Sequence, residues 1–144
     1  MSKELKTLIV EDEEVSADIL EITLNGLGIR AITKATTGRQ AIGLFETALQ
    51  NGAPFALVFL DIIMPGMDGQ EALKHLRAAE KETGIAASDK AAIIMTTALS
   101  SSDSMIEALV DGDCNDYLVK PISRDYLKEM LAKIGKLGPD HGAS

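Results

Sequence analysis

Short apolar runs alternate along this chain with longer segments in which apolar residues recur every three or four positions. Leu5 to Val10 reads as a strand. The spacing of Val15, Ile19, Ile22 and Leu27, widened by Leu20 and Leu24, predicts a helix that turns this stripe inward and ends near Gly26 and Gly28. Ile29 to Thr33 mixes polar with apolar residues, as an edge strand does. Thr37 or Gly38 opens a second helix with Ala41, Ile42, Phe45, Ala48 and Leu49 inward, closed by Asn51-Gly52. Phe55 to Leu60 is apolar throughout, which predicts a central strand covered on both faces. A loop with Pro65-Gly66 follows, and Ala72, Leu73 and Leu76 begin a third helix. Ala92 to Met95 is a second fully apolar strand. Met105, Ile106, Leu109 and Val110 mark a fourth helix, Tyr117 to Val119 a fifth strand, and Leu127, Met130, Leu131 and Ile134 a fifth helix.

Five strands alternating with five helices, without hairpin signals, predict an α/β fold. The expected architecture is a doubly wound, five-stranded parallel sheet with helices on both faces. The polar-mixed second strand belongs at an edge and the third near the middle. Strand order 2-1-3-4-5, the flavodoxin-like arrangement, satisfies both and makes the first and third strands neighbours at the topological switch point. Ligands in such sheets sit beyond the carboxyl ends of the strands at that point.

Length and charge narrow the reading. At 144 residues the expectation is one domain over 1–136, with 137–144 a disordered tail. A net charge of -8 disfavours direct nucleic-acid binding, which depends on cationic contacts to phosphate. The sequence shows no apolar run of spanning length, so no membrane insertion is expected, and Met1 to Leu5 does not begin a secretory signal. The single cysteine, Cys114, has no internal disulfide partner; it reads as a small core side chain, and the cytoplasm is the expected compartment. Glu80 to Lys90 is polar throughout much of its length and reads as a helix end followed by an exposed loop. His75 and His141 have no partner in the sequence and are assigned no chemical role.

The candidate chemistry lies where apolar runs stop at charges: Leu8-Ile9-Val10-Glu11-Asp12, Val58-Phe59-Leu60-Asp61 and Tyr117-Leu118-Val119-Lys120-Pro121. Glu11, Asp12 and Asp61 would repel one another at neighbouring strand ends unless a cation neutralised them. Magnesium favours oxygen ligands, accepts few protein carboxylates and leaves positions for water and phosphate. A carboxylate can also accept a phosphoryl group, and the charge on the transferred oxygens needs donors already in place. Lys120 offers a compact positive charge and Thr97 a hydroxyl at the end of the fourth strand.

Four motifs, in order, resemble the receiver domains of two-component response regulators, such as the chemotaxis receiver. They are the acidic pair Glu11-Asp12, the run from Leu60-Asp61-Ile62-Ile63-Met64-Pro65-Gly66 to Met67-Asp68-Gly69, then Thr96-Thr97-Ala98, and Lys120-Pro121. The resemblance spans Leu5 to Ile134. It implies that Asp61 accepts a phosphoryl group from a phosphohistidine on a sensor histidine kinase or phosphotransfer protein. It implies Mg2+ ligation by Asp12, Asp61 and the backbone carbonyl of Ile63, with Glu11 acting mostly through water. Thr97 and Lys120 would contact the phosphoryl oxygens, and the peptide before Pro121 would be cis. Thr97 and Tyr117 would form a switch read by a downstream protein partner on the surface of the fourth helix, fifth strand and fifth helix. The family positions that flank the attacking water are here Ile63 and Leu99, both apolar, which implies slow loss of the phosphate.

Glu11 stands where an aspartate often opens the acidic pair, and the Asp61-to-Thr97 segment is longer than in the shortest receivers, with the excess in Glu80 to Lys90. With no output domain expected after the fifth helix, signalling would be by docking. Two rival readings use other chemistry. An aspartate-nucleophile phosphatase of the haloacid dehalogenase type needs a second aspartate two residues beyond the first, where this chain has Ile63. A phosphorylation-independent interaction module on the same scaffold would have no need of the site residues that are all present.

Overall fold

The computed structural model describes residues 5–64, 66–97 and 114–135. Along these the elements are β1 (Thr7–Val10), α1 (Glu14–Gly26), β2 (Ile32–Ala35), α2 (Gly38–Gln50), β3 (Leu57–Asp61), α3 (Gly69–Thr83), β4 (Ala92–Thr97), β5 (Asp116–Val119) and α4 (Arg124–Lys133). A single 3-10 turn, Ala87–Asp89, precedes β4. All strand pairs are parallel, and the order is β2-β1-β3-β4-β5, as the sequence predicts. The expected fifth helix is α4. The expected fourth helix, at Met105 to Val110, lies outside the described residues, as do Leu99 and the tail from 136 onward.

Successive strand residues point to opposite faces, so the central strands supply two cores at once. Leu8, Val10, Val58, Leu60, Ile93 and Met95 face one side and pack with Phe45 of α2 and Leu73 and Leu76 of α3. Ile9, Leu57, Phe59 and Ile94 face the other and meet Leu20 and Leu24 of α1 and Leu127 and Leu131 of α4. A strand clothed on both faces favours apolar residues, which is why β3 and β4 read as apolar runs up to the polar residues at their carboxyl ends, Asp61 and Thr96-Thr97.

Helix starts follow local chemistry. Thr37 accepts a hydrogen bond from the Gln40 amide, Asp68 from that of Glu71, and Ser123 from that of Tyr126, each satisfying an N-terminal donor that has no partner within its own helix. Gly84, at φ 71°, ends α3 in the left-handed conformation that costs glycine least.

The structure corrects the sequence reading in two places. The stripe Val15, Ile19, Ile22 faces outward, with 70, 57 and 69% exposure, while Ala17, Leu20 and Leu24 are buried. At about 100° per residue the two sets lie on opposite sides of α1, so periodicity detects two apolar stripes without saying which one the sheet covers. The second strand is Ile32–Ala35 rather than Ile29 to Thr33; Ile29 is buried below the strand's start. Glu80 to Lys90 is a helix end followed by an exposed loop, as expected, with α3 running to Thr83; Glu80 itself is 1% exposed, because its carboxylate accepts from Arg77 and from the Ala91 amide. Smaller shifts of one or two residues move β1 to begin at Thr7 and extend β3 to Asp61 and β4 to Thr97. Among the described residues, no helix is long and apolar enough to cross a membrane.

Candidate functional site

Glu11 directly follows β1, Asp61 ends β3, Thr97 ends β4 and Lys120 directly follows β5. Four parallel strands thus deliver their charged or hydroxyl residues to one end of the sheet, on either side of the β1–β3 switch point. Backbone bonds fix each arm. The Glu11 amide donates to Ala35 O at 3.0 Å, the Ile62 amide to Thr96 O at 2.9 Å, and the Lys120 amide to Thr97 O at 2.8 Å. The Lys120–Pro121 peptide is cis, as the resemblance implies.

The loop after β3 is hooked back onto the sheet. Gly69 donates its amide to Ile62 O at 2.8 Å, Met64 is buried, and the Met67 side chain lies 3.1 Å from where a β-carbon on Gly38, at the start of α2, would sit. Ile63, between these anchors, is 53% exposed beside the acid.

Oxygens of Glu11, Asp12 and Asp61 lie within 4.8 Å of one another, with Glu11 and Asp61 buried and Asp12 exposed. Glu11 accepts a bond from the Glu13 amide at 3.2 Å, and Asp61 Oδ1 accepts one from the Ile63 amide at 3.1 Å. Lys120 Nζ donates to Glu11 Oε1 and to Asp61 Oδ2, the latter at 3.3 Å. Burial, reinforced by hydrogen bonding with Asp61, pushes the Glu11 carboxyl above the usual carboxylate range. Burial pulls the Lys120 ammonium down, but its hydrogen bond with Glu11 and the charges of Asp61 and Glu11 outweigh this and hold it above the ordinary lysine value.

One ammonium against three carboxylates leaves the cluster short of positive charge. An all-oxygen donor set this compact fits a hard divalent cation, and magnesium in particular, which binds through few carboxylates. Thr97 is buried at the sheet edge of this cluster, and Tyr117 is half-buried against the core on the α2–α3 side. His75 is exposed on α3 and is not among the grouped acids Glu11, Asp12 and Asp61.

Two features carry no sequence signal strong enough to be predicted. The first is the ion pair of Arg77 with the buried Glu80. The second is a cleft of about 380 Å³ between α1 and the start of α4, lined by Ile19, Thr23, Pro121 and Ile122 and reaching Lys120.

Residues 7–132 match the family model of the response regulator receiver domain. The chain is 34% identical over 134 residues to chemotaxis protein CheY-3 of Vibrio cholerae, covering 93% of this chain and 94% of that protein. It spans only 8% and 10% of the length of two histidine-kinase relatives that it also matches. Among solved structures, the co-crystal of the Saccharomyces cerevisiae phosphotransfer protein Ypd1 with the receiver domain of Ssk1 aligns with TM-score 0.77 at 29% identity, over 94% of this chain and 91% of that one. The CheX–CheY–BeF3–Mg2+ complex of Borrelia burgdorferi aligns with TM-score 0.75 at 25% identity, over 89% of this chain and 87% of that one. With these matches on a five-stranded parallel sheet whose carboxyl ends gather Glu11, Asp12, Asp61, Thr97 and Lys120, the chain belongs to the response regulator receiver domains of two-component systems.

Proposed function

We propose that Asp61 is the phosphoacceptor of this receiver. A carboxylate oxygen of Asp61 attacks the phosphorus of a phosphohistidine on a histidine kinase or phosphotransfer protein. The P–O bond forms as the P–N bond breaks, and the imidazole nitrogen leaves with the electron pair and takes up a proton. The observation that carries this reading is the position of Asp61: buried, between two further acids and a lysine that already bonds it.

Glu11, Asp12, Asp61 and the Ile63 carbonyl would hold magnesium, with Glu11 acting mostly through water. When bound, the metal supplies positive charge that offsets the three carboxylates and the incoming phosphoryl oxygens. Lys120 supplies the opposite flank of that charge, and Thr97 a hydroxyl. In donating to Asp61, Lys120 also orients its carboxylate before a donor arrives.

Thr97 and Tyr117 are the proposed switch, a local charge change biasing a two-state element. The output surface would be the expected fourth helix with β5 and α4, and the exposed apolar side chains Val119 and Tyr126 on the latter two support a protein partner there. The chain is a signalling phosphoacceptor rather than an enzyme, acting in the cytoplasm and without direct nucleic-acid contact.

The test is incubation with magnesium and a small acyl-phosphate donor, followed by intact mass. A single phosphate adduct that is absent in Asp61→Asn, with the fold of that variant retained, supports the reading. Multiple-turnover release of phosphate would mark a phosphatase, and no adduct in the parent protein an interaction module.

A further inference from the structure

We propose that Arg77, Glu80 and Asn115 form a clamp at the amino ends of β4 and β5 that sets the register of β5, and through it the reach of Lys120 to Asp61. These are positioning residues, at the end of the sheet remote from the acids.

β5 needs such a device. It is the edge strand, four residues long, and among its residues only Leu118 is buried. Register is specified strongly where a strand buries one face and weakly where it does not. A slip of one residue would move Lys120 about 3.3 Å along the strand and turn its side chain to the other face. The contact with Asp61 is itself 3.3 Å long and would not survive.

The geometry at the amino end removes this freedom. Asn115, one residue before β5, takes both backbone groups of Ile93: its amide donates to Ile93 O at 2.8 Å and its Oδ1 accepts from the Ile93 amide at 2.8 Å. The side chain thereby adds a rung to the β4–β5 ladder that only this alignment allows. Arg77 Nη2 donates to the same Oδ1 at 2.8 Å, so two donors converge on the oxygen and hold the amide in one orientation. Arg77 Nη1 donates to Ala91 O at 2.9 Å and to Glu80 Oε1 at 2.8 Å, and the Ala91 amide donates to Glu80 Oε2 at 2.7 Å. One ion pair on α3 thus takes both polar backbone groups of Ala91, just before β4, and reaches across to β5. The ladder that starts at this rung ends five residues later, where the Lys120 amide meets Thr97 O.

Only the consequence for phosphorylation rests on Asp61 being the acceptor; the clamp itself is read by hydrogen exchange. Asn115→Leu removes the shared acceptor at a surface position while leaving Arg77 with Glu80. The expected result is at least tenfold faster exchange of the Lys120 amide with β1 and β3 amides unchanged, and at least threefold slower phosphorylation by a small acyl-phosphate donor with magnesium. Asn115→Asp, which keeps the acceptor, should restore both. Arg77→Lys keeps the charge beside Glu80 but loses the fork that spans three acceptors, and should shift the same readouts in the same direction by less. Unchanged Lys120 exchange in Asn115→Leu, or an equal rise in β1 and β3, overturns the clamp. Absence of any adduct on the parent protein would instead overturn the phosphoacceptor reading, and the exchange data would still decide the clamp.

Discussion

Gly69 sits so close over Asp61 that a β-carbon placed on it would lie 2.2 Å from the Asp61 carbonyl oxygen and 2.7 Å from the α-carbon of Ile62. Both neighbours are backbone, so neither can swing aside. The first residue of α3 is therefore pressed against the peptide of Asp61, the proposed acceptor, and the helix start and the acid are packed against each other. Gly69→Ala should destabilise the fold by about 3 kcal/mol, the upper part of the usual range for overpacking, and should weaken metal binding with it. Urea denaturation measures the first and a magnesium titration the second. A loss below about 1 kcal/mol would show that α3 can slide away without cost.

Lys120→Ala should slow phosphoryl transfer yet tighten magnesium binding in the unphosphorylated protein. A unit charge about 4 Å from another contributes between about 1 and 4 kcal/mol as the effective dielectric falls from that of water towards 20. Removing the ammonium from between Glu11 and Asp61 should therefore raise magnesium affinity about tenfold. Weaker binding in the variant would mean that Lys120 does not oppose the metal.

Ile63→Asn should shorten the lifetime of the phosphate several-fold. Half of the Ile63 side chain is open to solvent beside Asp61, where it can shield an attacking water's approach but cannot orient the water. An amide there can hydrogen-bond the water. The readout is the decay of the adduct by intact mass after donor removal, and equal half-lives would separate Ile63 from lifetime control.

Ile19→Asp should separate protein donors from small ones. Ile19 lines the cleft that leads to Lys120 and belongs to the outward stripe of α1, so a donor protein approaching Asp61 would pass over it. Phosphotransfer from a histidine kinase should fall at least tenfold, the size of effect seen when an interface anchor is replaced. Phosphorylation by an acyl-phosphate molecule should stay within about twofold, because the side chain is exposed and its loss costs the fold little. Equal losses with both donors would place the effect in the site rather than in docking.

Strand order and the positions of Glu11 and Asp61 are legible in the sequence for one reason. A strand buried on both faces must end where charge begins, and a doubly wound sheet collects such ends at one rim. Lys120, after the partly exposed edge strand β5, is legible only from the short apolar run Leu118-Val119 before it. The orientation of α1 is not legible, because Val15, Ile19 and Ile22 are as apolar as the residues that the sheet covers. Glu80 reads as solvent-facing because its partners are an arginine three residues before it and a backbone amide eleven residues beyond. Burial of a charge is decided by such partners, which only the folded chain brings together.

The bond between the Glu80 carboxylate and the Ala91 amide closes the connection between α3 and β4 at its base. Whatever is spliced into its exposed middle, around Ala86 to Ser88, lengthens a loop whose ends are already pinned. Each doubling of such a loop costs only about 0.6 kcal/mol. This connection also lies at the end of the sheet opposite Asp61. It is therefore the natural graft point for a fluorescent reporter or an affinity handle, at a distance from the rim where a donor would arrive.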